Sequence, residues 1–390
     1  MIQNGMTYGR EESFAMSDFG LFGGRSWLNA AHQGPLPNVA IEAARKAIEQ
    51  KASPNLISDD SFFSVPHRLR EALANLIGAS PEDIILGNSA TYGLDLLANG
   101  IRWSAGDEVL LVDGDFPADV FPWLVLKARG VSVRFIKPAS GVVTAEELRG
   151  KMSPRTRLFC TSWVNSFNGH AIDLQAVSNV CRHTGVYFVL NASQGLGAKC
   201  LNMTDFSMSA LTCCGYKWLC GPYGTGFCWI APDLRESLQV NHGYWLAMQE
   251  GGSLAHMRDY SLRSDLHARS FDIFCTANFL NFMPWTASIE HILAKGTKRI
   301  EEYDDELISY LIAELRRTNF QVVSPEDRAS RSAIVVVTAH ERQVNRAAAV
   351  LADSGVDIAV REGNLRFSPH FYNSRWDIDR AIDALFKVQR

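Results

Sequence analysis

The chain has 390 residues with a net charge of -4 and 47% hydrophobic residues, which is more than one compact core organises, so two lobes are expected. Its basic residues are scattered through the sequence, so no nucleic-acid or polyanion surface is implied. Met1 to Ser17 is polar and lacks the basic-then-apolar layout of a signal peptide, and no apolar run is long enough to cross a bilayer, so a soluble cytoplasmic protein with no membrane partner is expected.

A loop signature runs from Trp27 to Pro35 through Asn29, Ala31, His32 and Gly34. Short apolar strands then alternate with helix-like stretches: Ile84–Leu86, Val109–Val112, Val131–Ile136, Leu158–Trp163, Tyr187–Leu190, Ala210–Cys213 and Phe227–Ile230. That alternation predicts an α/β sheet, mostly parallel, with ligand groups at the strand ends.

After the first strand, Asn88, Ser89, Ala90 and Thr91 open an apolar-periodic helix over Tyr92 to Gly100. Free N–H groups and hydroxyls at such a start form either a phosphate seat or an ordinary helix cap. After the second, Asp115 and Phe116 lead to Pro122 and Trp123, and Phe116 offers a flat face that is either a stacking platform or plain core. The fourth runs into Asn165-Ser166-Phe167-Asn168-Gly169, where the spacing to Gly169 leaves Asn165 and Ser166 equally eligible as polar contacts.

The fifth strand ends in Asn191-Ala192-Ser193-Gln194, the way a buried parallel strand presents polar side chains at its carboxyl end. The sixth, Ser209 to Cys214, delivers Lys217 between Tyr216 and Trp218, and Gly221-Pro222-Tyr223-Gly224-Thr225-Gly226 follows. This turn lets backbone approach a ligand closely. A desolvated lysine loses proton affinity and becomes a nucleophile toward an aldehyde.

Residues 235–270 are polar and aromatic without strict period and read as a covering loop, in which Tyr244 and Trp245, with Trp285 beyond, point either to an apolar pocket or to core packing. Thr286 to Thr318 has helical Ile/Leu spacing, and Ala333–Thr338, Asp357–Val360 and Leu365–Ser368 alternate with helices in a smaller lobe. Eight cysteines in such a chain argue for reduced thiols, and their spacing matches no zinc ligand scheme.

These landmarks, in this order from about Trp27 to the C-terminus, resemble the class V aminotransferase family of pyridoxal-phosphate enzymes, which includes cysteine desulfurases, kynureninases and isopenicillin-epimerase-like proteins. The resemblance implies the two-lobe plan of fold type I, with a mostly parallel seven-stranded sheet. It divides the chain into an N-terminal arm over 1–30, a large cofactor-binding domain over 31–270 and a small α/β domain over 271–390. It also implies that Lys217 carries pyridoxal 5'-phosphate. Asn191 then stands where relatives have an acid facing the ring nitrogen, and Gln194 where a Gln faces the ring hydroxyl. Cys214 and Tyr216 replace a Ser and a His that bind phosphate.

By the same resemblance, Ala90 and Thr91 seat the phosphate, Phe116 stacks on the ring, and Asn165 or Ser166 meets the ring hydroxyl or the substrate. Arg366 grips the α-carboxylate, for which a planar guanidinium is suited, while Arg361 and Arg375 read as solvated neighbours. Asn29, Ala31 and His32 lie in the loop that closes over substrate. Thr276, after Cys275 in place of a glycine, reaches the phosphate of a partner subunit, which makes the active unit a homodimer. No cysteine follows Cys275, so the sulfur-accepting thiol that cysteine desulfurases carry before the arginine strand is missing.

A neutral Asn191 supplies no charge to the ring nitrogen. The expected reaction is therefore β-elimination from a cysteine-type substrate, ahead of transamination or epimerisation. If Asn191 stood in place of a native Asp, lyase and transaminase would be expected equally. A chain that has lost catalysis and serves as a binding partner is the alternative of another class.

Overall fold

The structure, a computed structural model, describes residues 14–388 except 241, 250–253, 259, 265 and 266. The polar N-terminal stretch up to residue 13 lies outside the described residues.

The seven-stranded sheet has the spatial order Ile84–Gly87, Gly226–Ile230, Ala210–Cys214, Tyr187–Asn191, Thr156–Ser162, Glu108–Val112, Ser132–Ile136. All neighbours pair in parallel except around Gly226–Ile230, which is antiparallel to both of its neighbours. The central strands are buried on both faces, which explains their unbroken apolar runs. The parallel arrangement brings the carboxyl ends at Val112, Ser162, Asn191 and Cys214 to one edge, and the polar segments that follow them gather there.

The helix expected from Tyr92 begins at Ala90, because the Ser89 hydroxyl accepts the Tyr92 N–H and caps it. The expected helix over Thr286 to Thr318 is two helices, Phe279–Lys295 and Thr297–Leu315. Gly296, at φ 87°, breaks the run, and apolar spacing that continues across the break hid it. Phe279–Lys295 packs on Asn38–Ala52 and Ser61–Ile77.

The small lobe carries a four-stranded sheet in the order Ala359–Arg361, Asn364–Phe367, Val335–Thr338, Gln321–Val322, antiparallel throughout. The single strand expected over Asp357–Val360 is split around Ile358. Val356–Asp357 pairs with Ser26–Trp27, while Ala359–Arg361 joins the four-stranded sheet. The covering segment after Arg235 includes the short helix Trp245–Met248 and a 3-10 turn over Ala268–Phe271. Among the described residues, no helix is long and apolar enough to cross a membrane.

The loop after Thr156–Ser162 joins the lobes. Ser332 Oγ donates to the Gly169 carbonyl at 2.7 Å, Ser324 Oγ donates to the Asn168 carbonyl at 2.6 Å, and Ala171 N–H donates to the Ser330 carbonyl at 2.8 Å. Gly169 sits at φ +76°, and a Cβ there would lie 2.3 Å from the Ile334 carbonyl oxygen. Gly169→Ala combines left-handed strain with backbone overlap and is expected to cost about 2–4 kcal/mol. Gly185→Ala, at φ +70° with nothing within 4 Å, is expected to cost only about 1 kcal/mol. Urea unfolding of the two variants beside the unmodified protein measures the difference.

Candidate active site

Lys217 is 7% exposed, and backbone contacts hold its segment in place. Gly34 N–H donates to the Tyr216 carbonyl at 2.9 Å, and Gly221 N–H to the Gly215 carbonyl at 2.8 Å. A Cβ on Gly34 would sit 2.1 Å from the Lys217 oxygen, and one on Gly197 2.6 Å from the Trp218 oxygen. Only residues without a side chain allow these approaches. Ser288 Oγ donates to the Cys220 carbonyl, and buried His370 bridges Asp304 and the Trp218 carbonyl. Trp285, fully buried against Phe227, packs beneath Gly215 and Gly221, so it belongs to the core.

The Lys217 Nζ lies 5.2 Å from the centroid of the Phe116 ring and 5.9 Å from that of Tyr216. Among the described residues no carboxylate pairs with it. Phe116 is 38% exposed and stacks on Phe167 at 6.5 Å. Tyr216 stacks on Tyr223 at 4.5 Å, and burial followed by the Cys214 thiol raises its phenol pKa well above the ordinary value. Cys214 is buried. Ala90 and Thr91 stand at the helix start, and Thr212 Oγ1 donates to the Ala90 carbonyl at 2.5 Å.

Of the two eligible polar residues, Ser166 lies in the site and Asn165 shapes the turn. Asn165 Oδ1 accepts the N–H groups of Phe167 and Asn168, and its Nδ2 donates to the Gly114 carbonyl. Ser166 is 1% exposed, and its Oγ accepts from Gln194 Nε2 at 3.2 Å. Gln194 Nε2 also donates to the Ala31 carbonyl, and its Oε1 accepts from Trp218 Nε1. Both amide hydrogens of Gln194 are thus engaged, which leaves the Ser166 hydroxyl hydrogen as the free donor of this group.

Arg366 is 3% exposed; its Nη1 donates to the Ser166 carbonyl at 3.1 Å, and its buried Nε has no partner among the described residues. Burial, then Arg361, push its pKa down to about 10. Arg361 and Arg366 lie on one face of the hairpin, since Ala359 pairs with Arg366 and Arg361 with Asn364. Arg361 is half-buried and faces this cluster, which an isolated solvated arginine would not do; Arg375 is exposed, over the Tyr310 ring. Ala31 N–H donates to Ser368 Oγ at 3.0 Å, Asn29 is buried with Oδ1 unpartnered among the described residues, and His32 is exposed beside them.

Thr276 lines a different cavity, with Arg70, Asp272 and Leu246, whose lining does not include Lys217. Cys275 before it stands at φ 65°, the conformation that favours a glycine.

The sequence did not single out Asp119. It is 1% exposed, and its two oxygens accept from Asn191 Nδ2 and Ser162 Oγ, each at 2.7 Å. Burial, followed by the neighbouring Asp115 carboxylate, raises its pKa well above the carboxylate range. Asp115 Oδ2 accepts the Ser162 N–H at 2.8 Å, and its Oδ1 the Phe116 N–H at 2.7 Å. Two acids four residues apart, just after a strand end, were the signal available in the sequence.

A family model described as aminotransferase class-V matches residues 60–380. A probable cysteine desulfurase of Methanothermobacter thermautotrophicus is 23% identical, with 93% of this chain and 94% of that protein covered. An isopenicillin N epimerase of Amycolatopsis lactamdurans is 25% identical, with 93% and 95% covered. Among solved structures, a C-DES variant with glycine covalently linked to its PLP cofactor superposes with a TM-score of 0.86 at 20% identity, covering 95% of this chain and 98% of that one. A complex of the cystine C-S lyase C-DES with its reaction product cysteine persulfide superposes at 0.83 and 21% identity, covering 93% and 98%.

The residues present fit pyridoxal phosphate. A buried amine that no carboxylate among the described residues pairs with, an aromatic face beside it, an open guanidinium nitrogen and a capped helix start form a donor set for an aldehyde, a ring and anionic groups.

His32 is held below its ordinary pKa by partial burial and then by Arg361, Arg366 and Lys217. An NMR titration is therefore expected to place it below 6.5, and Arg361→Ala to move it upward. A His32 titration indifferent to Arg361 would contradict the arrangement of charges.

Proposed function

The chain belongs to the class V aminotransferase family and is a pyridoxal-phosphate enzyme, and from that premise we propose that it eliminates a β substituent, sulfide in the first instance, from a small L-amino acid. Bound at Lys217, pyridoxal phosphate withdraws electrons from the α-carbon and so acidifies the α-hydrogen. Lys217 supplies the amine that holds the cofactor and then moves the α-proton. Phe116 would stack on the ring, and Ala90, Thr91, Cys214 and Tyr216 would hold the phosphate. The Ser166 hydroxyl, held by Gln194, would serve the ring hydroxyl.

The observation that carries the reading is Arg366, a buried guanidinium that donates to the Ser166 carbonyl and keeps an open Nε among the described residues. It receives the α-carboxylate, and Asn29, Ala31 and His32 close over the substrate from the N-terminal loop. Two features favour elimination. The residue assigned to the ring nitrogen is a neutral amide, which disfavours long-lived negative charge on the substrate and hence transamination. No thiol follows Cys275 in the sequence, so the sulfur leaves to solvent. L-Cysteine and water then give pyruvate, ammonia and sulfide. The structural likeness to a cystine C-S lyase supports this choice. Epimerisation is the second reading, supported by the relative named isopenicillin N epimerase and by His32 beside Arg366 as a second proton carrier.

The test is product analysis with L-cysteine in heavy water, with absorption spectra taken alongside. Pyruvate and sulfide in equal amounts support elimination. An α-deuterated D-amino acid establishes epimerisation, and an amino group left on the cofactor establishes transamination. Lys217→Ala is expected to abolish the lysine-linked absorption band and turnover. Arg366→Ala loses a charge-assisted contact of roughly 1.5–3 kcal/mol, so KM is expected to rise about 10- to 100-fold with a smaller change in kcat. A protein that binds no pyridoxal phosphate would instead be the non-catalytic binder.

The same reading makes the active unit a homodimer, with the segment at Thr276 reaching the phosphate of the partner. Light scattering is expected to give twice the 43.3 kDa chain mass, and a monomer that still turns over would exclude shared sites.

A further inference from the structure

The Asn191 amide is fixed at both ends. Its Nδ2 donates to Asp119 Oδ1 at 2.7 Å, and its Oδ1 accepts the Ser193 N–H at 3.0 Å. Ser162 Oγ donates to the other Asp119 oxygen at 2.7 Å. Both side chains are buried, Asp119 at 1% and Asn191 at 4% exposure. The amide thus occupies the place assigned to the ring nitrogen, and a carboxyl group lies one hydrogen bond behind it. Resting on the reading that Asn191 faces this nitrogen, we propose that Asp119 is a positioning residue that sets the proton affinity of the cofactor ring nitrogen through Asn191.

The amide oxygen keeps one lone pair after the Ser193 contact. Above its raised pKa, which a protonated ring would bring down, Asp119 is ionised, pulls on the Nδ2 hydrogen and so enriches the amide oxygen, which becomes a better acceptor for a ring N–H. The proton stays on the ring nitrogen throughout, and no covalent bond changes. The groups facing Asp119 are Asp115 on its own segment, Cys160 and Ser162 on Thr156–Ser162, Asn191 on the next strand, and Lys217 across the site. Burial and Asp115 favour the neutral acid, whereas Lys217 and a protonated ring favour the carboxylate. Attraction falls with distance. A carboxylate one hydrogen bond back therefore retains part of the pull that direct contact would exert, and the ring stays a shallower electron sink.

The experiment loads the full-length protein with pyridoxal phosphate labelled with 15N in the ring and follows the 15N chemical shift against pH. Asp119→Asn keeps the shape and the hydrogen bond but removes the charge, and it is expected to lower the ring-nitrogen pKa by about one unit or more. The exchanged pair, Asn191→Asp with Asp119→Asn, is expected to raise it above that of the unmodified protein. A merely structural role for Asp119 would leave the shift unmoved, so an Asp119→Asn titration that matches the unmodified protein overturns the proposal. Should Asp119→Asn fail to fold, equal titrations of the exchanged pair and the unmodified protein overturn it as well. Failure of the unmodified protein to retain pyridoxal phosphate removes the site reading and the proposal together, whereas retention with matching titrations removes the proposal alone.

Discussion

A buried lysine amine with no carboxylate against it among the described residues is the constraint on which the rest of the structure depends. Taking such a group out of water is costly, and the fold holds it through the rigidity of the surrounding backbone. Gly34 and Gly197 lie against the Lys217 and Trp218 carbonyls at distances a side chain would prevent. Trp285 packs under Gly215 and Gly221, and Ser288 and His370 tie the Cys220 and Trp218 carbonyls. These contacts come from the N-terminal loop, the large sheet, a long helix and the small lobe. The lysine segment is therefore the junction at which the chain is tied together.

The site also separates its charges. On one side Arg361, Arg366 and Lys217 act electrostatically on His32, and Arg361 acts on Arg366. Asp115 and Asp119 lie behind the strand ends on the other, satisfied by Ser162, Thr161, the Phe116 N–H and Asn191. The acids are saturated with hydrogen bonds and the cations are not. Under the proposed reading, a substrate carboxylate would meet open cations without competing with the protein's own acids. The lobe interface adds a second grip: Ala31 donates to Ser368 of the small lobe and accepts from Gln194 of the large one, so the N-terminal loop is anchored on both sides.

Much of this was legible in the sequence, for a physical reason. Strands buried on both faces must be apolar throughout, so the inner strands of the large sheet stood out as apolar runs close to their observed positions, whereas the edge strand Ser132–Ile136 is largely exposed and carries Ser132 and Arg134. Lys217 stood out because the Gly-Pro-x-Gly-x-Gly turn after it has few other uses. The helix break at Gly296 did not, because Ile and Leu spacing carries across a single glycine. The choice between Asn165 and Ser166 also stayed open, since both sit on the same turn. Only the hydrogen bonds show that one side chain is spent on shaping that turn while the other faces Gln194.

Asn191 shows most clearly where a reading by position ends. Taken alone, a neutral amide in place of an acid implies a site without charge. Asp119 is 72 residues away in sequence and meets it only because the segment after Glu108–Val112 folds over the ends of Thr156–Ser162 and Tyr187–Asn191. Carboxylate and carboxamide have nearly the same shape, so which of two contacting positions bears the charge changes little in the packing. It changes which atom faces the ligand and how far away the charge lies, and those two quantities govern a proton on a neighbouring ring. The chemical character of this site therefore belongs to the pair and is assigned to neither residue alone.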